Sequence, residues 1–365
     1  MSSSPTEHPE TASQADGPAS GSAASNPLKT VIMGLVYVLV LATFLYAVQR
    51  AGGWRQLLAP WRVMPLQWLA LACVGQLAAY ALRALRIYKA EPAIPRDRFG
   101  GCLRLIAINT AANWLLPMRS GEASFPILMR RWFGIELTHA TGVLVWLRLL
   151  DLHVLATIGL ICLRTGVLST ATSNVAQTLS SLALFGLGAA VCAPLLLFAL
   201  RAPLSAYLAT TLPTQPATSA SWRAKPIKLL NKMLSGVPSR PIALAGDLLL
   251  CWNAWVVKLA SLGLLLATLA GLPPTLGILG AIGGDLSTVL PLHTPGGFGT
   301  YEAGVVAALS ASSAPLANLL QAAVNLHLFV LGLALLAGAA ALLVGLRSDG
   351  ATERAAANLL KSRND

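Results

Sequence analysis

The sequence predicts an all-α polytopic integral membrane protein with about six full spans, two broken or re-entrant helical hairpins and an inverted repeat. Three observations carry that prediction. Apolar residues fill 55% of the 365 positions, charged residues only 11%, and mean hydropathy is +0.67, whereas a soluble domain averages about 25% charged residues. Runs such as TVIMGLVYVLVLATFLYAV and LFVLGLALLAGAAALLVGL approach the ~20 residues that cross a bilayer. Two further apolar regions are each interrupted by proline, glycine and charge, as LLPMRSGEASF at 115–125 and LPLHTPGGFGTYE at 290–302.

In chain order, residues 1–27 are rich in Ser, Ala, Thr and Pro and read as a disordered cytoplasmic tail. No Lys or Arg precedes Lys29, so the tail lacks the basic start of a cleavable signal peptide. A membrane domain follows over 28–346, and 347–365 reads as a second cytoplasmic tail. Full spans are expected at about 28–48, 63–85, 138–163, 179–200, 241–270 and 318–346. The broken regions occupy 99–134 and 275–313, with halves of roughly 15–19 residues that are short for a crossing. Each region is either two ordinary crossings or one re-entrant hairpin of two half-helices. Both return the chain to the side it left.

Charge sets the orientation. Of 26 basic residues, 20 fall on one side of these spans and four on the other (Arg50, Arg55, Arg62 and Arg164), with Arg148 and Lys258 inside spans. The positive-inside rule then puts both termini and the 201–240 loop in the cytoplasm. Impermeant thiol labelling of single cysteines in intact cells is expected to modify position 172 and spare position 225; the opposite pattern would reverse the orientation. With this topology the units 63–163 and 241–346 each read span, broken hairpin, span, starting from opposite sides. Pro117 and Pro291 lie 174 residues apart, each preceded by Leu and followed by glycine and glutamate. Such an inverted repeat is common in transporters, with the substrate path near the interface of its units.

Proline removes a backbone donor and glycine loosens the chain, so Pro117, Gly121, Pro291, Gly296, Gly297 and Gly299 are the helix-breaking positions. Unpaired backbone persists in a membrane only where protein or a water-filled cavity covers it. The alternative is two surface loops joining short spans. Charge favours the interior, because Glu122 and Glu302 each begin a new apolar stretch, where a carboxylate suits the positive end of a helix. Arg119 lies near Glu122 and His293 near Glu302. Arg148 and Asp151 stand at i,i+3 and share a helix face. Asp247 and Lys258, 11 residues apart on one span, need separate partners. Asp285 precedes the second break as Asn113 precedes the first. A charge at the bilayer centre costs about 2.5–3.5 kcal/mol on insertion scales, so these residues mark either a functional interior or an ion-pair network. The candidate substrate-binding residues are therefore Asn113, Arg119, Glu122, Arg148, Asp151, Lys258, Asp285, His293 and Glu302.

Other chemistries find little support. The five cysteines lie in or beside apolar segments without CxxC spacing, and the five histidines are dispersed, so neither a metal site nor a cofactor is expected. PGGFG is not followed by GK[ST] and is no nucleotide loop. The net charge of +12 reads first as the positive-inside bias of an inner-membrane protein; it comes without the basic soluble module that nucleic acid needs, and a basic cytoplasmic face also attracts anionic membrane lipid, the expected partner.

The motifs NWLLPMRSGE (113–122), RRWFGI (130–135), VLVWLRLLD (143–151) and LPLHTPGGFGTYEAG (290–304) together resemble the lysylphosphatidylglycerol synthase transmembrane region family over about 30–345. That resemblance implies broken helices and a role with lipid or lipid-linked substrates, best known as flipping aminoacylated phosphatidylglycerol. It points to Asn113, Pro117, Arg119, Gly121, Glu122, Arg148, Asp151, Pro291, Gly296, Gly297, Gly299 and Glu302. The full-length synthase carries a soluble aminoacyl-transferase domain after its membrane region, while this chain ends about 20 residues past its last predicted span; a member without that domain is expected, and the synthase activity is not carried over. His293 has no place in the family pattern. The reading is a flippase-like transporter in the cytoplasmic membrane, driven downhill or by an ion, with Arg119 and Lys258 meeting a lipid phosphate. A membrane enzyme acting on a lipid, or an accessory subunit of a separately encoded lipid-modifying enzyme, are the alternatives.

Overall fold

The computed structural model of the chain describes residues 53–361, apart from 96, 165–173, 211–223, 289–294 and 311, together with Tyr46 and Gln49. Apart from Tyr46, the span expected at 28–48 lies outside the described residues. Among those described, all regular structure is helical. Two short helices, α1 (Gly53–Leu57) and α2 (Ala59–Val63), lead into α3 (Leu66–Ala90), α4 (Phe99–Leu115), a 3-10 turn (Pro117–Ala123), α5 (Ser124–Phe133) and α6 (Leu137–Arg164). Then come α7 (Asn174–Thr210) and α8 (Ala224–Leu234). A second series follows: α9 (Pro241–Ala270), α10 (Pro274–Ser287), a 3-10 turn (Pro295–Gly297), α11 (Thr300–Ala308) and α12 (Leu316–Lys361).

Among the described residues, five helices are long and apolar enough to cross a membrane: α3, α9, and the stretches Leu137–Ile158, Gly188–Thr210 and Leu316–Gly345 of α6, α7 and α12. The chain is thus a multi-pass membrane protein. Both regions expected to be broken are broken. Pro117 disfavours helical backbone at Leu116, which is extended at ψ 140, and α4 stops there. The ten residues of α5 and the nine of α11 span only about 14–15 Å at 1.5 Å per residue, half of a ~30 Å hydrocarbon core. Each series therefore reads long helix, short helix, 3-10 turn, short helix, long helix.

Two of the differences from the expected boundaries matter for function. The α3 helix continues to Ala90, beyond the expected end at 85. Arg83 and Arg86, counted among the loop charges, are consequently helical, and Arg86 is buried. Glu122 does not begin a helix; it sits in the 3-10 turn, and α5 starts two residues later at Ser124.

The helices pack most extensively as α3 on α9, followed by α10 against α9 and α11. Small residues permit this, as expected where packing rather than hydrophobic expulsion drives helix association. A Cβ at Gly75 of α3 would overlap the side chain of Ser261 on α9, and Gln76 beside it donates to the Ser261 hydroxyl at 3.5 Å. One buried cluster gathers around Trp146, Leu262, Tyr301 and Leu326, and another around Ile87, Leu105, Phe125 and Met129. Also on α12, Asn325 receives the Trp61 indole N–H at 2.6 Å and donates to Leu57 O at 2.8 Å, tying α1 and α2 down.

Candidate functional site

Where the two clusters meet, side chains from α3, α4, the first 3-10 turn, α5, α6, α9 and α10 enclose a cavity of about 640 Å³. That lies within the ~300–1,000 Å³ usual for ligand sites. Much of its wall is apolar, from Ile87, Ile106 and the α6 leucines, yet it carries four basic and three acidic side chains.

Asp151 organises one side. Its Oδ1 accepts both Nη atoms of Arg86 at 3.3 and 3.2 Å and the Trp255 indole N–H at 3.1 Å, while Oδ2 accepts Arg148 Nη1 at 3.1 Å. The i,i+3 spacing on α6 makes the Arg148 contact local; Arg86 arrives from α3. Arg148 is shared, because its Nε lies 3.0 Å from Glu122 Oε1. Lys258 lies one turn along α9 from Trp255 and pairs with Asp285 of α10 at 2.8 Å. The Trp255 ring also takes two cations, Lys258 Nζ at 4.8 Å and Arg83 Cζ at 5.2 Å from its centroid. Charges that would each be costly alone at this depth are neutralised by short ion pairs between helices.

Glu122 is presented by the turn, and the turn is held by asparagines. Asn109 Nδ2 donates to Gly121 O at 3.3 Å and to the Ser124 hydroxyl at 2.9 Å, and Asn113 in turn donates to Asn109 Oδ1 at 3.3 Å. Gly121 is required by close approach: a Cβ there would run into the backbone of Ala112 on α4. Several wall atoms have no hydrogen-bond partner among the described residues, including Arg83 Nε, Asn113 Oδ1 and Asp285 Oδ2. Buried polar atoms are rarely left so unless a ligand or water meets them.

Glu302 lies elsewhere. It is buried in the first turn of α11, where its Oε2 accepts the Gly299 N–H at 2.7 Å. Its Oε1 lies 2.7 Å from His327 Nδ1, and His327 Nε2 lies 2.8 Å from Gly296 O. A carbonyl only accepts, so Nε2 carries a proton, and one further proton is shared between Nδ1 and the carboxyl. Gly296, Gly297 and Gly299 all have positive φ, between 67 and 84, which side-chain-bearing residues adopt with difficulty. Glu302 and His327 thus clamp a loop that glycine alone can form. The cluster touches the cavity through Trp114, whose ring is 5.1 Å from His327 and 6.0 Å from Tyr301.

The structure therefore brings Asn113, Glu122, Arg148, Asp151, Lys258 and Asp285 onto one cavity. Glu302 is absent from the lining. The side chains of Pro117 and Arg119, and all of Pro291 and His293, lie outside the described residues. Asp247 finds its expected separate partner in the Trp146 indole N–H at 2.8 Å. Sequence reasoning passed over Arg83, Arg86, Asn109, Trp255 and His327. A signal existed for the arginines, which stand at i,i+3 inside the apolar run AAYALRALRIY.

Comparison with known proteins gives one match: the family described as Lysylphosphatidylglycerol synthase TM region, over residues 31–338. No curated protein and no solved structure matches.

Proposed function

The chain belongs to the lysylphosphatidylglycerol synthase TM region family, membrane proteins with a lipid-related function, and from that premise we propose that it is a flippase-like transporter moving a phospholipid or lipid-linked substrate between leaflets of the cytoplasmic membrane. The observation that carries this reading is the cavity, which combines apolar walls with seven charged side chains supplied by four long or broken helices and a turn. A lipid needs both surfaces at once: a polar place for its headgroup at membrane depth and an apolar flank for its chains. Broken helices flanking such a site are how membrane transporters usually build one. We take the two helix series as inverted halves, with both termini cytoplasmic, and their relative rocking as the source of alternating access.

The test is the full chain in liposomes containing fluorescent lipids of several headgroups, with an impermeant quencher added outside. Protein-free vesicles lose only outer-leaflet signal. Protein-containing vesicles are expected to lose inner-leaflet signal as well for at least one headgroup. If every headgroup stays protected, as without protein, the transporter reading is wrong.

A further inference from the structure

Among the described residues four cations line the cavity, and three of them are accounted for by carboxylates. Arg86 takes Asp151, Arg148 reaches both Asp151 and Glu122, and Lys258 takes Asp285. Asp247, bound to Trp146, is not on the wall. The fourth cation, Arg83, has no carboxylate at ion-pair distance among the described residues. It donates no hydrogen bond to any of them and lies over the Trp255 ring with its Nε buried and unpartnered. It stands on the same face of α3 as Arg86, three residues earlier, half-buried at the cavity wall.

An arginine in this setting is costly unless an anion meets it. No described carboxylate lies at ion-pair distance from Arg83, and the guanidinium is a planar fork suited to two oxygens of a phosphate. We propose that Arg83, with Trp255 beneath it and Lys258 beside it, is the subsite for a phosphate group carrying one net negative charge and no balancing amine. Resting on the transporter reading, this makes the substrate an anionic lipid headgroup such as a glycerol phosphodiester. A zwitterionic headgroup brings an ammonium as well, which has to share a carboxylate that already holds a cation of the wall, Asp285 through one oxygen and Glu122 and Asp151 through Arg148. An aminoacylated headgroup with net positive charge is disfavoured further, since it enters a wall on which cations outnumber carboxylates. Free phosphate shares the recognised chemistry, without the chains.

The experiment measures binding by calorimetry to the full chain in non-ionic detergent, using dihexanoyl phosphatidylglycerol, dihexanoyl phosphatidylcholine and inorganic phosphate. Hydrogen bonds to a charged group correspond to about tenfold or more in affinity, so phosphatidylglycerol is expected to bind about tenfold tighter than phosphatidylcholine. Arg83→Gln is expected to erase that preference, lowering phosphatidylglycerol binding about tenfold more than phosphatidylcholine binding, and Arg83→Lys to retain much of it. The lysine variant also serves as the folding control. Inorganic phosphate binding weakly assigns the site to lipid; binding as tightly as phosphatidylglycerol, with the same dependence on Arg83, assigns it to the free anion. Equal binding of the two lipids, or an undiminished preference in Arg83→Gln, overturns the proposal. Binding is read without translocation, so the two readings fail separately. Phosphatidylglycerol bound through Arg83 but never moved refutes the transporter, whereas lipid movement without headgroup preference refutes the subsite.

Discussion

Asp151→Asn is expected to destabilise the protein by about 3–5 kcal/mol, the range found when one partner of a buried ion pair is removed. Asp151 is 7% exposed and Arg86 3%, and the aspartate also receives Arg148, Trp255 and the Cys251 thiol, the last at 3.4 Å. Asparagine keeps the shape and one acceptor oxygen. It leaves the buried Arg86 guanidinium without its charged partner, and turns an NH2 towards groups that are themselves donors. The measurement is the thermal unfolding temperature and folded yield in detergent. A double replacement, Arg86→Met with Asp151→Leu, should recover a large part of the loss, since apolar residues of similar volume often substitute for a buried pair. Unfolding of Asp151→Asn at the wild-type temperature would mean that the pair contributes nothing to the fold.

The second large effect is a divergence between Glu122→Gln and Glu302→Gln. From the sequence the two glutamates stand on equal footing, each after a glycine break at the start of an apolar stretch. The structure separates them. The Glu122 side chain is 22% exposed and its partner Arg148 34%, and pairs that open to a cavity contribute only about 0–1 kcal/mol. Glu122→Gln should therefore fold normally, while lipid translocation per folded molecule falls about tenfold or more, the cost of losing one charge-assisted contact. Glu302 instead accepts the Gly299 N–H and the His327 ring within a buried cluster. Its glutamine variant should lose about 1–2 kcal/mol of stability, because neutral hydrogen bonds, the amide oxygen accepting the Gly299 N–H and the NH2 donating to Nδ1 of a neutral His327, replace charge-assisted ones. Unfolding temperature and initial translocation rate, taken on the same preparations, separate the two. Should Glu122→Gln move lipid at the wild-type rate, the carboxylate only tethers the turn to α6; should Glu302→Gln melt like the wild type, the clamp has no structural weight.

What could be read early follows from how local the physics is. Apolar runs, the stop at Pro117 and the glycines of PGGFG act through a residue and its near neighbours, so membrane class, helix breaks and four of the long helices lie close to where hydropathy puts them. The Arg148–Asp151 contact belongs to the same group, because three residues on a helix is a fixed geometry. Even the positions of isolated intramembrane charges are legible, since lipid makes each of them conspicuous.

Which charges meet is another matter. Arg86 reaches Asp151 across 65 residues and Trp255 does so across 104, while Lys258 and Asp285 meet because α10 folds back along α9. Positive-inside counting assigned Arg83 and Arg86 to a loop, because composition alone cannot say that α3 continues one turn past its apolar stretch once Asp151 is there to receive a guanidinium. Glu302 is likewise drawn to His327 on α12 and away from the cavity. By itself the sequence determined that this is a multi-pass helical membrane protein with two broken helices and a set of buried charges. Only the tertiary structure decided which of those charges form the cavity, which hold the fold, and that Arg83 faces it with no carboxylate at ion-pair distance among the described residues; desolvated ions are stabilised by partners that helix packing, not chain neighbourhood, brings within reach.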